Sequence, residues 1–118
     1  MAERRMISKK VINSDEFFEL TDKAKAFYIY LILEADDDGF IGNLKAVTRG
    51  CGANAKTVES LVNQGLLLLF SDKVAVVAHW PMQNKVRSDR YIKTIYQKEF
   101  QQLGVVNGRY ILKSHIFT

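Results

Sequence analysis

Residues 34–45 read EADDDGFIGNLK, and the reading of this stretch decides how the chain is divided. At first sight it is a calcium loop. An EF-hand loop needs oxygen ligands at positions 1, 3 and 5, Gly at 6 and a bidentate Glu at 12. Glu34, Asp36 and Asp38 take the first three of those places and Gly39 the fourth. The last place holds Lys45, a cation where the ion needs its closing carboxylate. Clustered carboxylates can also hold a weak surface Mg²⁺. The stronger reading is a helix stop, because Asp favours turns over helix interiors and Gly accepts the left-handed conformation that ends helices. On that reading Asp36–Gly39 turns the chain out of one helix and into a very short strand, Phe40–Ile41.

Upstream, Ser14 can cap a short helix over Asp15–Leu20, and Thr21 a longer one reaching about Ala35. In the second, Ala24, Phe27, Tyr28 and Leu31 recur at helical spacing, and Ile29, Ile32 and Leu33 widen the apolar stripe. That helix is expected to be central. Downstream, Asn43 is expected to cap Leu44–Gly50, with Leu44, Val47 and Cys51 facing inward. A tight turn over Gly50–Ala53 follows. Asn54 then caps a third helix to Gln64, closed by Gly65. The apolar run Leu66–Phe70 and the β-branched run Val74–Trp80 flank Ser71-Asp72-Lys73, as in a hairpin. The fold expected is therefore α+β and mainly helical: a winged helix-turn-helix of helix, short strand, helix, turn, helix and β-hairpin wing, with N- and C-terminal extensions. Pro81 ends the hairpin, and residues 82–93 read as a polar, basic loop. Thr94 and Gln97 have capping-box spacing for a helix to Leu103. Asn107-Gly108, between Val105-Val106 and Tyr110–Leu112, is a strong hairpin signal. The expected division is 1–103 as one winged-helix domain and 104–118 as a hairpin-like tail.

Composition narrows the function classes. The chain has 118 residues, 47% hydrophobic and 25% charged, enough for one domain with a core. Its 17 basic and 13 acidic residues give +4, which permits nucleic-acid binding without demanding it. The lone Cys51 excludes an internal disulfide and reads as a small core residue. The longest apolar run, Ala26–Leu33, is far too short for a membrane span, and no secretory h-region follows the basic start. His79 and His115 have no Cys or carboxylate at metal-ligand spacing, and there is no phosphate-binding glycine loop. No enzyme, metal or cofactor is expected.

The third helix carries the functional reading. Ala55, Val58, Leu61 and Val62 share one face, while Lys56, Ser60 and Asn63 share the other with Thr57 and Gln64 beside them. A helix in the DNA major groove needs that division, although a solvated surface helix has it too. Lys56 is offset by Glu59, which argues against tight phosphate contact. A second basic strip is formed by Lys85, Arg87, Arg90 and Lys93, suited to phosphates. Lys73 at the wing tip adds one cation, and Arg4, Arg5, Lys9 and Lys10 form an N-terminal cluster able to track DNA or pack on a partner.

Several stretches together resemble a known family. They are MAERRMISKKVINSDEF (1–17), EADDDGFIGN (34–43), VVAHW (76–80) with the following MQN (82–84), and DRYIKTIYQKE (89–99). This ordered set is similar to the N-terminal domain of phage replisome organisers, which are related to DnaD-type primosome proteins, and the likeness runs from Met1 to about Leu103. The resemblance implies a winged-helix domain in the cytoplasm of a bacterial host. Such a domain binds double-stranded origin DNA, forms a homo-oligomer, and supports a helicase loader or helicase. It also implies a second, helical domain in full-length organisers, so helicase loading is not assigned to this chain alone. Lys93 stands where family members often have a proline before the threonine. The alternative is a self-association or protein-docking module with little DNA affinity of its own.

Overall fold

The computed structural model describes residues 4–116. The outer ends of the expected 1–103 and 104–118 segments, and the side chain of His115, lie outside the described residues. The architecture is α+β with small antiparallel sheets. Two single-turn helices, α1 (Lys9–Ile12) and α2 (Asp15–Phe18), lead into α3 (Asp22–Glu34). Then come β1 (Phe40–Ile41), α4 (Leu44–Gly50), α5 (Ala55–Asn63), β2 (Leu67–Leu69) and β3 (Ala75–Val77). The chain ends with α6 (Trp80–Gln83), α7 (Gln97–Phe100), β4 (Leu103–Val106), β5 (Arg109–Leu112) and α8 (Lys113–Ile116). The three-stranded sheet has the order β1-β3-β2, and β4-β5 form a separate two-stranded sheet. No helix among the described residues is long and apolar enough to cross a membrane.

Local chemistry starts the helices where the sequence places them. Ser14 Oγ accepts from Phe17 N, and Thr21 Oγ1 from Ala24 N, each satisfying an amide with no intrahelical partner. At α4 the expected cap is not made: Asn43 forms no side-chain bond, and the Leu44 amide donates instead to the Lys73 carbonyl in the β2–β3 turn. That bond ties the turn to the start of α4.

Helix α3 is central on one side only. Ala24, Phe27, Tyr28, Leu31 and Ile32 are buried against the rest of the core. Ile29 and Leu33, expected to widen the buried stripe, are 38% and 52% exposed, and Tyr30 is 44% exposed. An apolar helix with an open apolar face is incompletely covered by its own chain.

The turn after α3 is where distant parts of the chain meet. Asp36 Oδ1 accepts from the Asp38 and Phe40 amides, closing the turn locally. Asp37 Oδ1 pairs with the Arg5 guanidinium at 3.0 Å, and both side chains are almost fully buried. Arg5 also donates to the Ala35 carbonyl and lies 5.1 Å from the centre of the Trp80 ring. Trp80 Nε1 donates to the Asp37 carbonyl, and the Tyr110 hydroxyl to the Asp38 carbonyl. The Asp38 carboxylate accepts from the Tyr91 hydroxyl and the Thr94 amide, and Asp37 Oδ2 from the Ile92 amide. Gly39, at φ +92°, lets the Trp80 indole lie where a Cβ would stand only 2.6 Å from the ring. The acidic run is a structural corner whose carboxylates are spent on protein donors.

The segment after β3 departs from the expected pattern. Strand pairing stops at Val77, and Trp80 starts α6 with Pro81 in its first turn, a position where a missing N–H costs nothing. The stretch expected to be a polar loop begins with ties to the N-terminal segment and to α3. Gln83 accepts from the Ser8 amide and donates to the Tyr28 hydroxyl, while Asn84 pairs with both backbone groups of Met6. The helix expected from Thr94 is shortened to Gln97–Phe100 because the Thr94 amide, which a capping box would give to Gln97, goes to Asp38. Gln97 Nε2 donates to the Thr94 carbonyl instead. The Asn107-Gly108 hairpin forms as expected, with φ of 53° and 78°, as a type I′ turn requires. The expected boundary between residues 103 and 104 falls inside β4, and buried Tyr110 of β5 donates its amide to the Ala78 carbonyl.

Removing one member of the buried pair leaves the other charged and unpaired. Arg5→Ala is expected to cost about 3–5 kcal/mol, read as a lower urea midpoint with little change in slope. A loss within a few tenths of a kcal/mol would show that the pair is not needed to hold the corner.

Candidate nucleic-acid interface

Helix α5 is fixed from both ends. At its start Asn54 Oδ1 accepts from the Thr57 amide, and Thr57 Oγ1 accepts from the Asn54 amide, a reciprocal capping box. At its end Gly65, with φ +74°, reverses the chain into β2. Leu61 is fully buried, and α5 packs on α3.

This geometry sorts the residues proposed for the groove. Lys56 and Asn63 are exposed on the outward face with Glu59. Thr57 is not on that face: it is 8% exposed, and its hydroxyl is held by Asn54 Oδ1. Ser60 is half-buried and donates its hydroxyl to the Thr57 carbonyl of its own helix. Spacing had placed Thr57 beside the outward face, but the capping role takes precedence. The outward face therefore offers one cation, one carboxylate and one amide.

Beside it runs an apolar groove of about 830 Å³, lined by Leu44 and Thr48 of α4, Val58 and Val62 of α5, and Leu69 of β2. The Lys45–Asp72 pair, 2.8 Å apart, stands at its rim. Lys45 holds the Asp72 carboxyl below its ordinary value, but both groups are largely in water and the pair is screened by salt. Lys73 is exposed in the adjoining turn.

The strip from Lys85 to Lys93 is anchored by the acidic corner. Tyr91, Ile92 and Thr94 bond Asp37 and Asp38, while Lys85, Arg87, Arg90 and Lys93 are all exposed. Arg87 pairs with Asp89 at 3.3 Å in an open, solvated contact. Among the described residues, Lys85, Arg90 and Lys93 have no carboxylate within ion-pair distance. No hydrogen bond or ion pair among the described residues connects the strip to α5. Of the N-terminal cluster, Arg5 is consumed inside the fold, whereas Arg4, Lys9 and Lys10 are exposed. Cys51 is half-buried at the end of α4, and burial pushes its thiol up, away from the reactive thiolate.

Compared with models of known protein families, with curated proteins and with solved structures, the chain matches none.

The Tyr91 anchor makes the strip sensitive to alkali. Burial, and then the bond to the Asp38 carboxylate, raise the Tyr91 hydroxyl above its ordinary value; burial and the Asp38 charge do the same at Tyr110. A raised folded value means that this stabilisation is complete below about pH 10 and is lost as pH climbs above it. The urea midpoint is expected to fall as the pH climbs above about 10, and Tyr91→Phe to show a shallower fall. Identical profiles for the two proteins would remove Tyr91 from the anchor.

Proposed function

We propose that the chain is a winged helix-turn-helix module that binds double-stranded DNA, as the origin-binding part of a phage-type replication initiator. In this reading α3, α4 and α5 are the helical core, β2–β3 the wing, and β1 the short strand that joins it. The observation that carries the reading is α5 itself: a rigid helix, capped at both ends, that follows a short turn from α4 and keeps Lys56 and Asn63 free on its open face. Lys85, Arg90 and Lys93, with Lys73 in the wing, supply phosphate contacts. With so little charge on α5, affinity rests on phosphates and falls steeply with salt. Ser60 and Thr57, engaged with their own backbone, contribute little to base reading. A helicase loader or the helicase is the expected protein partner, in the bacterial cytoplasm.

A second reading, self-association, is favoured by the open face of α3. Ala26, Ile29, Tyr30 and Leu33 form one exposed apolar stripe at helical spacing. Lys23 and Glu34 lie on one flank of it, about three turns apart. A two-fold axis running two α3 helices antiparallel brings each Lys23 to the other copy's Glu34. The two readings are compatible, since a symmetric dimer presents two α5 helices to repeated half-sites.

Fluorescence anisotropy with labelled duplex at low and physiological salt tests the first reading. Lys56→Ala is expected to weaken binding, and Arg90→Ala with Lys93→Ala to reduce the salt slope by about one for each lost phosphate contact. Failure to bind any duplex at low salt would remove the DNA role and leave self-association. Light scattering then tests the stripe: Leu33→Glu is expected to leave a monomer, and an unchanged mass would place any oligomer contact elsewhere.

A further inference from the structure

A second concave site lies away from α5, where five parts of the chain converge. It is a cavity of about 200 Å³ between Lys10 of α1, Ser14 and Glu16 around the start of α2, Gly65 after α5, His79 before α6, and Arg109 of β5. It is smaller than the roughly 300 Å³ at which pockets for drug-sized molecules begin, and larger than the ~30 Å³ of one water. Two buried nitrogens of lining residues, His79 Nδ1 and Arg109 Nε, have no hydrogen-bond partner among the described residues. Arg109 is held in place from one side, where its terminal nitrogen donates to the Gly65 carbonyl at 3.2 Å. Around one cavity the chain thus gathers a guanidinium, an ammonium and an imidazole against a single carboxylate.

We propose that this cavity is a binding site for a phosphate group, held by the Arg109 guanidinium, the Lys10 ammonium and the His79 imidazole. Arg109 brings a planar guanidinium, whose fork of donors matches two oxygens of a tetrahedral anion. Lys10 adds a mobile point charge from α1. The Ser14 hydroxyl, however, already donates to the Val11 carbonyl, so it is available only as an acceptor. Glu16 is the single carboxylate of the lining and opposes the anion. Two cations against that one acid leave the site positive with His79 neutral, and more so once it is protonated. A divalent phosphate placed against His79 would favour the imidazolium. In its absence, burial and the Arg109 charge hold the imidazole below its ordinary value, with Glu16 acting the other way. Phosphate chemistry of this kind has two sources, free inorganic phosphate and the terminal phosphate of a nucleic-acid strand.

The test is NMR titration of the two imidazoles, His79 and His115, with inorganic phosphate at constant ionic strength. Saturable movement of the His79 signals is expected, with the His79 midpoint rising by about one pH unit. The response is expected to be lost in Arg109→Gln and weakened several-fold in Lys10→Gln, an exposed position where folding is safe. A 5′-phosphorylated oligonucleotide, beside the same strand without the phosphate, separates the two sources. The proposal is overturned if His79 and His115 shift together without saturation, or if Lys10→Gln responds as the parent does.

Discussion

The buried Arg5–Asp37 contact, together with the Asp38 carboxylate beside it, is the constraint on which the assembly of this chain rests. Helices α3 to α5 and the three-stranded sheet form a unit by apolar burial. The N-terminal segment, α6, the 85–96 strip and the β4–β5 hairpin are smaller pieces that could not bury enough surface alone. Each is fastened to Asp36–Asp38 or to the Trp80 turn that covers it. A buried ion pair is weak evidence for net stability, because desolvation offsets the Coulomb gain. Its effect here is registry: the carboxylates accept only donors that arrive in one arrangement, and that arrangement fixes where four segments lie.

This constraint bears on function through charge. An acidic run close to a basic strip would ordinarily neutralise it. In this fold the carboxylates are turned inward onto amides, a phenol and one guanidinium, so among the described residues none of them pairs with Lys85, Arg90 or Lys93, which are exposed. The corner acts as a scaffold for cations rather than as a ligand for one. Helix α5 stands on separate supports, its capping box and its packing on α3, and the charges on its outward face, Lys56 and Glu59, cancel. The proposed DNA-binding role, built on these parts, would rest mainly on phosphate contacts, with modest base reading.

What was legible in the sequence was local. Ser14, Thr21 and Asn54 announced helix starts that form as read, and Asn107-Gly108 its hairpin, because caps and tight turns depend on neighbours within four residues. The division of α5 into faces followed from periodicity for Lys56, Asn63 and Leu61, but not for Thr57, whose hydroxyl the cap consumes, for half-buried Ser60, or for Ala55, which is exposed at the start of the helix. What stayed hidden was long-range pairing. Arg5 looked like a member of a mobile basic arm because nothing near it in sequence marks Asp37 as its partner. Gln83 and Asn84 looked like loop residues, yet their amides clamp a segment more than seventy residues earlier. Thr94 carried a capping signal that Asp38 overrode. The cavity at His79 could not be foreseen either, since its lining comes from five separate stretches.

The most direct test of the corner's role is amide hydrogen exchange on the parent chain and on Asp38→Ala. If the corner fixes the outer segments, Ile92, Thr94 and the β4–β5 hairpin lose protection together, while α3, α5 and β3 keep theirs. Loss confined to Thr94, with the hairpin still protected, would contradict the account and reduce Asp38 to a local turn contact.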